Sequence, residues 1–204
     1  MKPLIVCAGK NEIFSFATSI GVGLVQASVG LTQLCLEKKP EKLVFIGTCG
    51  IYKRALENFD GVNLNEKSHD FSSQSQEIQS LNLLEIYETR HAFNVEASSF
   101  LGDFYSPAAC EINLNVSYET KKCNSSNYIC ADERVAARFA AMGLELENME
   151  AFAVLSVAAK FGVDAVCFLC ATNFCDSQAH QNFIKNHAQA KKNLENFLQE
   201  KNLI

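Results

Sequence analysis

The chain has no basic stripe, no long apolar run and no repeat, linker or low-complexity tract, and each absence removes a class of function. With 18 Lys and Arg against 23 Asp and Glu the net charge is −5, and the densest positive clusters, Lys38-Lys39 and Lys191-Lys192, read as solvated helix ends. A nucleic-acid partner is therefore not expected. No stretch approaches the roughly 20 apolar residues of a membrane span. The apolar start around Ile5 and Val6 is broken by Lys10-Asn11-Glu12 too early for a secretion signal. The nine cysteines are odd in number, and Cys7, Cys35, Cys167 and Cys170 sit inside apolar segments. Reduced thiols in a cytoplasmic protein are the expectation, not a disulfide framework. What is present is 204 residues, 48% of them hydrophobic, enough to bury one core in a single domain over 1–204.

Apolar runs at 4–7 and 13–17 flank Ala8-Gly9-Lys10-Asn11, whose turn chemistry predicts a β-hairpin with Glu12 at the start of its second strand. A helix is expected over 23–37, where Leu24, Val25, Val29 and Leu34 recur at helical spacing before Lys38-Lys39-Pro40. The continuous apolar run 42–47 reads as a strand covered on both faces. From 52 to 126 the pattern is weak, with strands expected near 83–87, 92–96 and 111–118. Helices follow over 134–142, stopped by Gly143, and over 149–160, capped by Asn148 and stopped by Gly162. A buried strand over 164–169 and an amphipathic helix over 177–203 complete the chain. Alternating strands and helices at both ends imply the α/β class, a three-layer αβα sandwich around a central mixed, twisted sheet.

Ligands of open α/β sheets sit beyond the carboxyl ends of the strands, so the segments after Ile46 and Leu169 are the places to look. Gly47-Thr48-Cys49-Gly50 combines two glycines, which let backbone N–H groups approach an anion, with a hydroxyl donor; a plain strand-to-loop turn would look the same. In Cys170-Ala171-Thr172-Asn173-Phe174-Cys175-Asp176 the Asn173 amide both donates and accepts, which suits the edge of a heterocyclic base. Asp176 or Ser177 could equally cap the last helix. Glu150 falls in the first turn of its helix, a place the macrodipole alone favours for a carboxylate. Cys167 and Cys170, three apart in an extended strand, point to opposite faces and cannot share an ion, so no metal site is expected. Gly21-Val22-Gly23 has Gln26 where a dinucleotide fingerprint needs its third glycine.

The run from Asn148-Met149-Glu150 through Gly162-Val163 resembles the Met-Glu helix of the purine nucleoside phosphorylases and the methylthioadenosine/S-adenosylhomocysteine nucleosidases. Phe45-Ile46-Gly47-Thr48-Cys49-Gly50 is similar to the phosphate or nucleophile loop of that superfamily, and Ser19-Ile20-Gly21-Val22-Gly23 to a glycine turn that opens a helix. The resemblance implies that Glu150 holds the ribose hydroxyls with Met149 packed on the sugar. It further implies that Tyr128, with Ile129, stacks on the base and that Gly47 and Thr48 serve phosphate or the nucleophile. Asn173 stands where the nucleosidases and hexameric phosphorylases carry an Asp that serves N7 of the base, while the trimeric phosphorylases use a Thr-Asn pair like Thr172-Asn173 for 6-oxopurines. The reading that follows is a purine nucleoside phosphorylase acting on 6-oxopurine nucleosides, with inorganic phosphate as co-substrate and no cofactor. A hydrolytic nucleosidase and a non-catalytic purine-binding homologue are the alternatives. The resemblance also implies a homo-oligomer.

Two departures bear on this. Phe45 occupies the place of an arginine in the hexameric phosphorylases, and Phe cannot pair with phosphate. Under the hairpin reading the chain begins one strand late and lacks the first family strand. Under the other alignment, Glu12 matches the glutamate that activates water in the nucleosidases. Arg54, Arg90 and Lys10 are the remaining candidates for cation contacts.

Overall fold

A computed structural model describes residues 2–53, 81–114 and 117–204. In chain order the elements are β1 (Leu4–Cys7), β2 (Thr18–Ser19), α1 (Gly23–Lys38), β3 (Lys42–Ile51), β4 (Ile86–Thr89), β5 (His91–Phe93), a 3-10 turn (Ala97–Leu101), β6 (Glu111–Asn113), β7 (Lys122–Asn124), α2 (Glu133–Ala141), β8 (Leu146–Glu147), α3 (Ala151–Phe161), β9 (Asp164–Phe174) and α4 (Ala179–Glu200).

The two longest strands, β3 and β9, lie side by side in parallel along their whole length, from Lys42 beside Asp164 to Ile51 beside Phe174. Both are buried almost throughout, as their unbroken apolar runs require. β1 joins the other edge of β3 in parallel, with β2 outside it, while β4 runs antiparallel to β9. Past the end of β1, the vacated edge of β3 is taken by β8, antiparallel at Gly50 and Ile51. β7, β5 and β6 continue outward from β8. The sheet is mixed. One apolar cluster packs α1 and α3 on one face through Leu31, Val154 and Leu155; another packs α4 on the opposite face through Ala190, Leu194 and Leu198. This is the expected three-layer αβα arrangement. Cys167 falls in the first cluster and Cys170 in the second, on opposite faces of β9 as their spacing dictates.

Three expectations are corrected. The hairpin over residues 4–17 does not form: β1 pairs in parallel with both β3 and β2, and 13–17 is a connection. The physical reason is burial, because Ile5, Val6 and Cys7 are all covered and an interior strand needs partners on both edges. The notion of a chain starting one strand late followed from that hairpin and loses its ground. Second, residues 47–50 are not a turn after a strand but the second half of β3. Third, β9 runs to Phe174, five residues beyond the expected end. In the middle, strands β4, β5 and β6 lie near the expected places, although the expected 111–118 strand reaches only Asn113 and residues 115 and 116 fall outside the described set. The short β7 and β8 were not foreseen. The polar tract 68–76 also lies outside the described residues.

Helix α1 sits close to the sheet because Gly30 has no side chain: a Cβ there would lie 2.2 Å from the Ile20 carbonyl oxygen. That neighbour is backbone and cannot swing aside. Gly30→Ala should destabilise the fold by at least about 2 kcal/mol, in spite of alanine's better helix propensity. Denaturant unfolding that shows equal or greater stability would refute this packing.

Candidate active site

The polar groups gather at the carboxyl ends of β1, β3 and β9. After β1 the chain turns tightly, with the Glu12 N–H donating to the Gly9 carbonyl at 3.0 Å, and Gly9 and Lys10 take the positive φ values of 103° and 52° that such a reversal needs. The turn swings Glu12 over β3. Thr48 donates twice to Glu12 Oε1, from its backbone N–H at 3.0 Å and from its hydroxyl. Gly47 leaves room for the carboxylate: a Cβ there would come within 3.0 Å of Glu12 Oε2 and 3.2 Å of the Phe45 ring. Oε2 is buried and has no hydrogen-bond partner among the described residues. Burial pushes the Glu12 carboxyl above its ordinary range, against the two Thr48 hydrogen bonds that favour the ionised form.

The start of α3 adds the second carboxylate. Asn148 caps the helix as its sequence position suggested, its Oδ1 accepting from Glu150 N–H at 2.9 Å and Ala151 N–H at 2.8 Å. Its Nδ2 donates to the Thr48 carbonyl at 2.9 Å, which ties the helix start to β3. The Phe152 N–H finds Ser125 Oγ at 3.0 Å. Glu150 is buried and its Oε1 accepts from Gly23 N–H at 2.8 Å, while Asn127 Oδ1 accepts from Leu24 N–H at 3.1 Å. Val22 offers no side-chain cap, so these two residues, distant in sequence, satisfy the free N–H groups that open α1. Burial raises the Glu150 carboxyl to about 7, with the nearby Glu12 charge pushing the same way.

On β9 the register against β3 slips between Cys49 and Gly50, so that Cys49 faces Ala171 and Gly50 faces Asn173. Thr172 is the extra residue, and the bulge turns it and Asn173 toward the end of β3. The single Thr172 hydroxyl proton has two acceptors in reach, Asn173 Oδ1 at 2.9 Å and the Cys49 carbonyl at 3.3 Å, and Asn173 Nδ2 donates to the Phe174 carbonyl at 3.1 Å. The amide oxygen is thus engaged, and one of the two Nδ2 hydrogens stays available. Gly50 makes space for this corner, since a Cβ there would meet Cys175 Sγ at 2.8 Å and Asn173 Nδ2 at 3.1 Å. From α4, Asn186 Nδ2 donates to the Thr172 carbonyl at 2.8 Å. Asp176 Oδ1 accepts from Gln178 N–H at 2.9 Å in an Asx turn leading to α4, whose N-cap is Gln178, so the expected cap by Asp176 or Ser177 does not form.

Gly47, Thr48, Glu150, Thr172 and Asn173 therefore hang from one connected set of strand ends. Thr48 donates to Glu12 on one side and accepts from Asn148 on the other, and Thr172 Oγ1 lies 3.3 Å from the carbonyl of its neighbour Cys49. Met149 lies between the two capping residues. Tyr128 and Ile129 stand apart, with 81% and 62% of their surface exposed. Arg90 is elsewhere altogether: it pairs with Glu88 and, at 2.6 Å, with Asp164 at the amino end of β9, where it lines an open cleft of about 550 Å³ with Lys2, Lys42 and Leu203. Arg54 lies outside the described residues, and Lys10 is in the β1 turn. Asn127, which reaches α1, gave no signal in the sequence; Glu12 did so only through an alignment set aside for the hairpin. Among the described residues no helix is long and apolar enough to cross a membrane, and no group of three His, Cys, Asp or Glu side chains could hold a metal ion.

Comparison with known proteins agrees with the fold. No curated protein sequence matches the chain. Among solved structures, an aspartate-to-asparagine mutant of the Helicobacter pylori methylthioadenosine nucleosidase, with 5′-methylthioadenosine in its active site, superimposes with a TM-score of 0.68 at 14% identity, covering 96% of this chain and 97% of that one. A mutant futalosine hydrolase from Helicobacter pylori gives 0.68 at 14% identity over the same shares, 96% and 97%. The 5′-methylthioadenosine/S-adenosylhomocysteine nucleosidase of S. pneumoniae gives 0.64 at 9% identity over 93% of both chains. These likenesses establish the fold. The sequence profile of the phosphorylase superfamily matches residues 3–200, nearly the whole chain, and with that match the chain belongs to the phosphorylase superfamily.

Proposed function

We propose that this protein is a hydrolytic purine nucleosidase, with Glu12 as the base that activates water. One observation carries the reading: the donors of the expected phosphate segment are already occupied by the chain's own carboxylate. Thr48 N–H and Oγ1 both serve Glu12 Oε1, which leaves the buried Oε2 without a hydrogen-bond partner among the described residues and free to accept a proton. A phosphate ion at Gly47-Thr48 would have to displace that carboxylate or sit against its charge. The sequence reading had put phosphorolysis first and hydrolysis second; the site geometry supports the reverse order, and the nucleosidases and futalosine hydrolase among the structural neighbours are consistent with it.

Cleaving an N-glycosidic bond builds positive charge on the ribose and negative charge on the leaving purine, so the site must accommodate both. Glu150, with Met149 beside it, receives the ribose hydroxyls through charge-assisted hydrogen bonds and places a negative charge near the sugar cation. Glu12 Oε2 takes a proton from water as the water's oxygen attacks the anomeric carbon and the bond to the base breaks. The base departs toward Asn173. Thr172 engages the amide oxygen, the Nδ2 hydrogen not given to the Phe174 carbonyl serves the base, and an N–H donor suits a 6-oxopurine, whose N7 and O6 both accept. A neutral amide gives no proton, so it steadies the leaving base by hydrogen bonding alone. Tyr128, with Ile129, covers the open face of the base on this reading, moving in from solvent as the nucleoside binds.

The neutral Asn173 also supports a second reading, a purine-binding protein with little turnover, and one set of assays separates all three. Release of free base from inosine and from methylthioadenosine, followed by chromatography, should proceed without phosphate. Glu12→Gln should lower kcat by about a hundredfold or more. Strict dependence on added phosphate would return the assignment to phosphorolysis, and binding without release would establish the non-catalytic reading. Asn173→Asp, which restores an acid at N7, should raise kcat for methylthioadenosine.

The raised Glu150 carboxyl gives a pH signature. Above about pH 7 it is ionised and accepts both sugar hydroxyls. Below that it is protonated and loses an acceptor and its charge. KM for the nucleoside should therefore climb as pH falls, approaching about tenfold for each unit below 7. Glu150→Gln should show a high KM with no such slope; a wild-type KM independent of pH would remove Glu150 from the sugar.

A further inference from the structure

The Glu12 and Glu150 carboxyls are both desolvated and lie near enough for the Glu12 charge to raise the cost of ionising Glu150, and Glu12 must be ionised to act as a base. Some positive charge has to offset them. The groups acting on Glu12 can be taken element by element. β1 contributes the Cys7 thiol and β3 the Cys49 thiol, both pushed up by burial and therefore neutral. α3 contributes Glu150, of the wrong sign. The turn itself carries Lys10, which is exposed. α4 contributes Lys191, whose charge favours the ionised form of Glu12, and one helical turn before it lies His187. Burial and the Lys191 charge both lower the His187 pKa, so the imidazole is neutral, and its Nε2 has no partner among the described residues. That leaves Lys191.

Its position is built into the packing. Lys191 Nζ lies 5.2 Å from the centroid of the Phe14 ring, and Phe14 follows Glu12 by two residues in the same connection. Phe14 is buried in the cluster that Ala190 and Leu194, the neighbours of Lys191 on α4, form with Cys7 and Ile46. The lysine stem is therefore braced on the apolar layer beneath the turn, with its ammonium turned to the ring face. No ion pair within 4.0 Å forms between Lys191 and Glu12 among the described residues. A lysine in direct contact would cover the oxygen that has to receive a proton. At one remove it supplies charge and leaves Oε2 free for water.

We propose that Lys191 is a positioning residue that keeps Glu12 a carboxylate in the crevice, acting from its seat on Phe14 without touching the reacting oxygen. The idea rests on the nucleosidase reading for its catalytic meaning, but the charge effect on Glu12 can be measured without turnover. Two readouts are needed: the acidic limb of the kcat–pH profile, and the titration midpoint of the Glu12 side-chain carboxyl by carbon NMR of glutamate-labelled protein, assigned with Glu12→Gln. In Lys191→Gln both should move up by about one pH unit, so that kcat well below the limb falls about tenfold. Lys191→Arg, which keeps the charge, should hold both near wild type. An unmoved Glu12 midpoint in folded Lys191→Gln overturns the proposal, as does an arginine variant that shifts as far as the glutamine one, since packing alone would then explain it. If Glu12→Gln hydrolyses normally, Glu12 is not the base and the nucleosidase mechanism fails, while the NMR midpoint still decides whether Lys191 sets its charge.

Discussion

Everything at this site depends on the parallel pairing of β3 with β9. Both strands are buried on both faces, so each backbone N–H and C=O must find a partner in the sheet or leave a polar group stranded away from water. That requirement locks their relative register from Lys42 beside Asp164 upward, and every functional group is placed by reference to it. Thr48 on β3 receives Glu12 from one side and Asn148 from the other. Thr172 on β9 is fastened to the Cys49 carbonyl and in turn fixes Asn173. The single irregularity in this pairing, the extra residue at Thr172, turns a side chain out of the sheet's alternation at the candidate site, as bulges commonly do.

The electrostatic character of the pocket follows from that rigidity. Two carboxylates lie in a region with little water, and their hydrogen-bond donors come mainly from the backbone: Thr48 N–H for one, Gly23 N–H for the other. Backbone donors do not rotate away, so they orient each carboxylate while leaving the second oxygen for the ligand. Glycine matters at two of these places for a steric reason. Gly47 admits the Glu12 carboxylate and Gly50 admits the Asn173 amide, since a methyl group would crowd Glu12 Oε2 at 3.0 Å in the first case and Asn173 Nδ2 at 3.1 Å in the second. Their role is close approach of neighbouring groups, a reading different from the anion-binding loop that the same spacing suggests.

The outer framework was legible in the sequence because long periodic or continuously apolar segments have few alternatives. α1, α3, α4, β3 and β9 all lie where their patterns put them, to within a few residues at most ends. Asn148 was readable as a cap, and Cys167 and Cys170 as residues on opposite faces. The hairpin error has a simple cause: Ala8-Gly9-Lys10-Asn11 does make a tight turn, but turn chemistry is local and says nothing of which strand the chain pairs with next. The Gly47–Gly50 segment was misjudged for a related reason, since glycine in a strand and glycine in a turn look alike without knowledge of the neighbours. The short β7 and β8 contain too few residues to show a period. Glu12 and Lys191 were visible as residues, but their relation is set by the packing of α4 over the β1 turn, which no local pattern records.

The hydrogen bonds that assemble the pocket join distant parts of the chain: 36 residues separate Glu12 from Thr48, 103 separate Leu24 from Asn127, and 127 separate Gly23 from Glu150. A ribosome reading from the amino terminus completes β1 and α1 long before α3 exists, so the opening N–H groups of α1 wait uncapped while most of the protein is made. The candidate site is therefore among the last features to mature during synthesis. High contact order of this kind slows folding and prolongs the exposure of incomplete sheet edges.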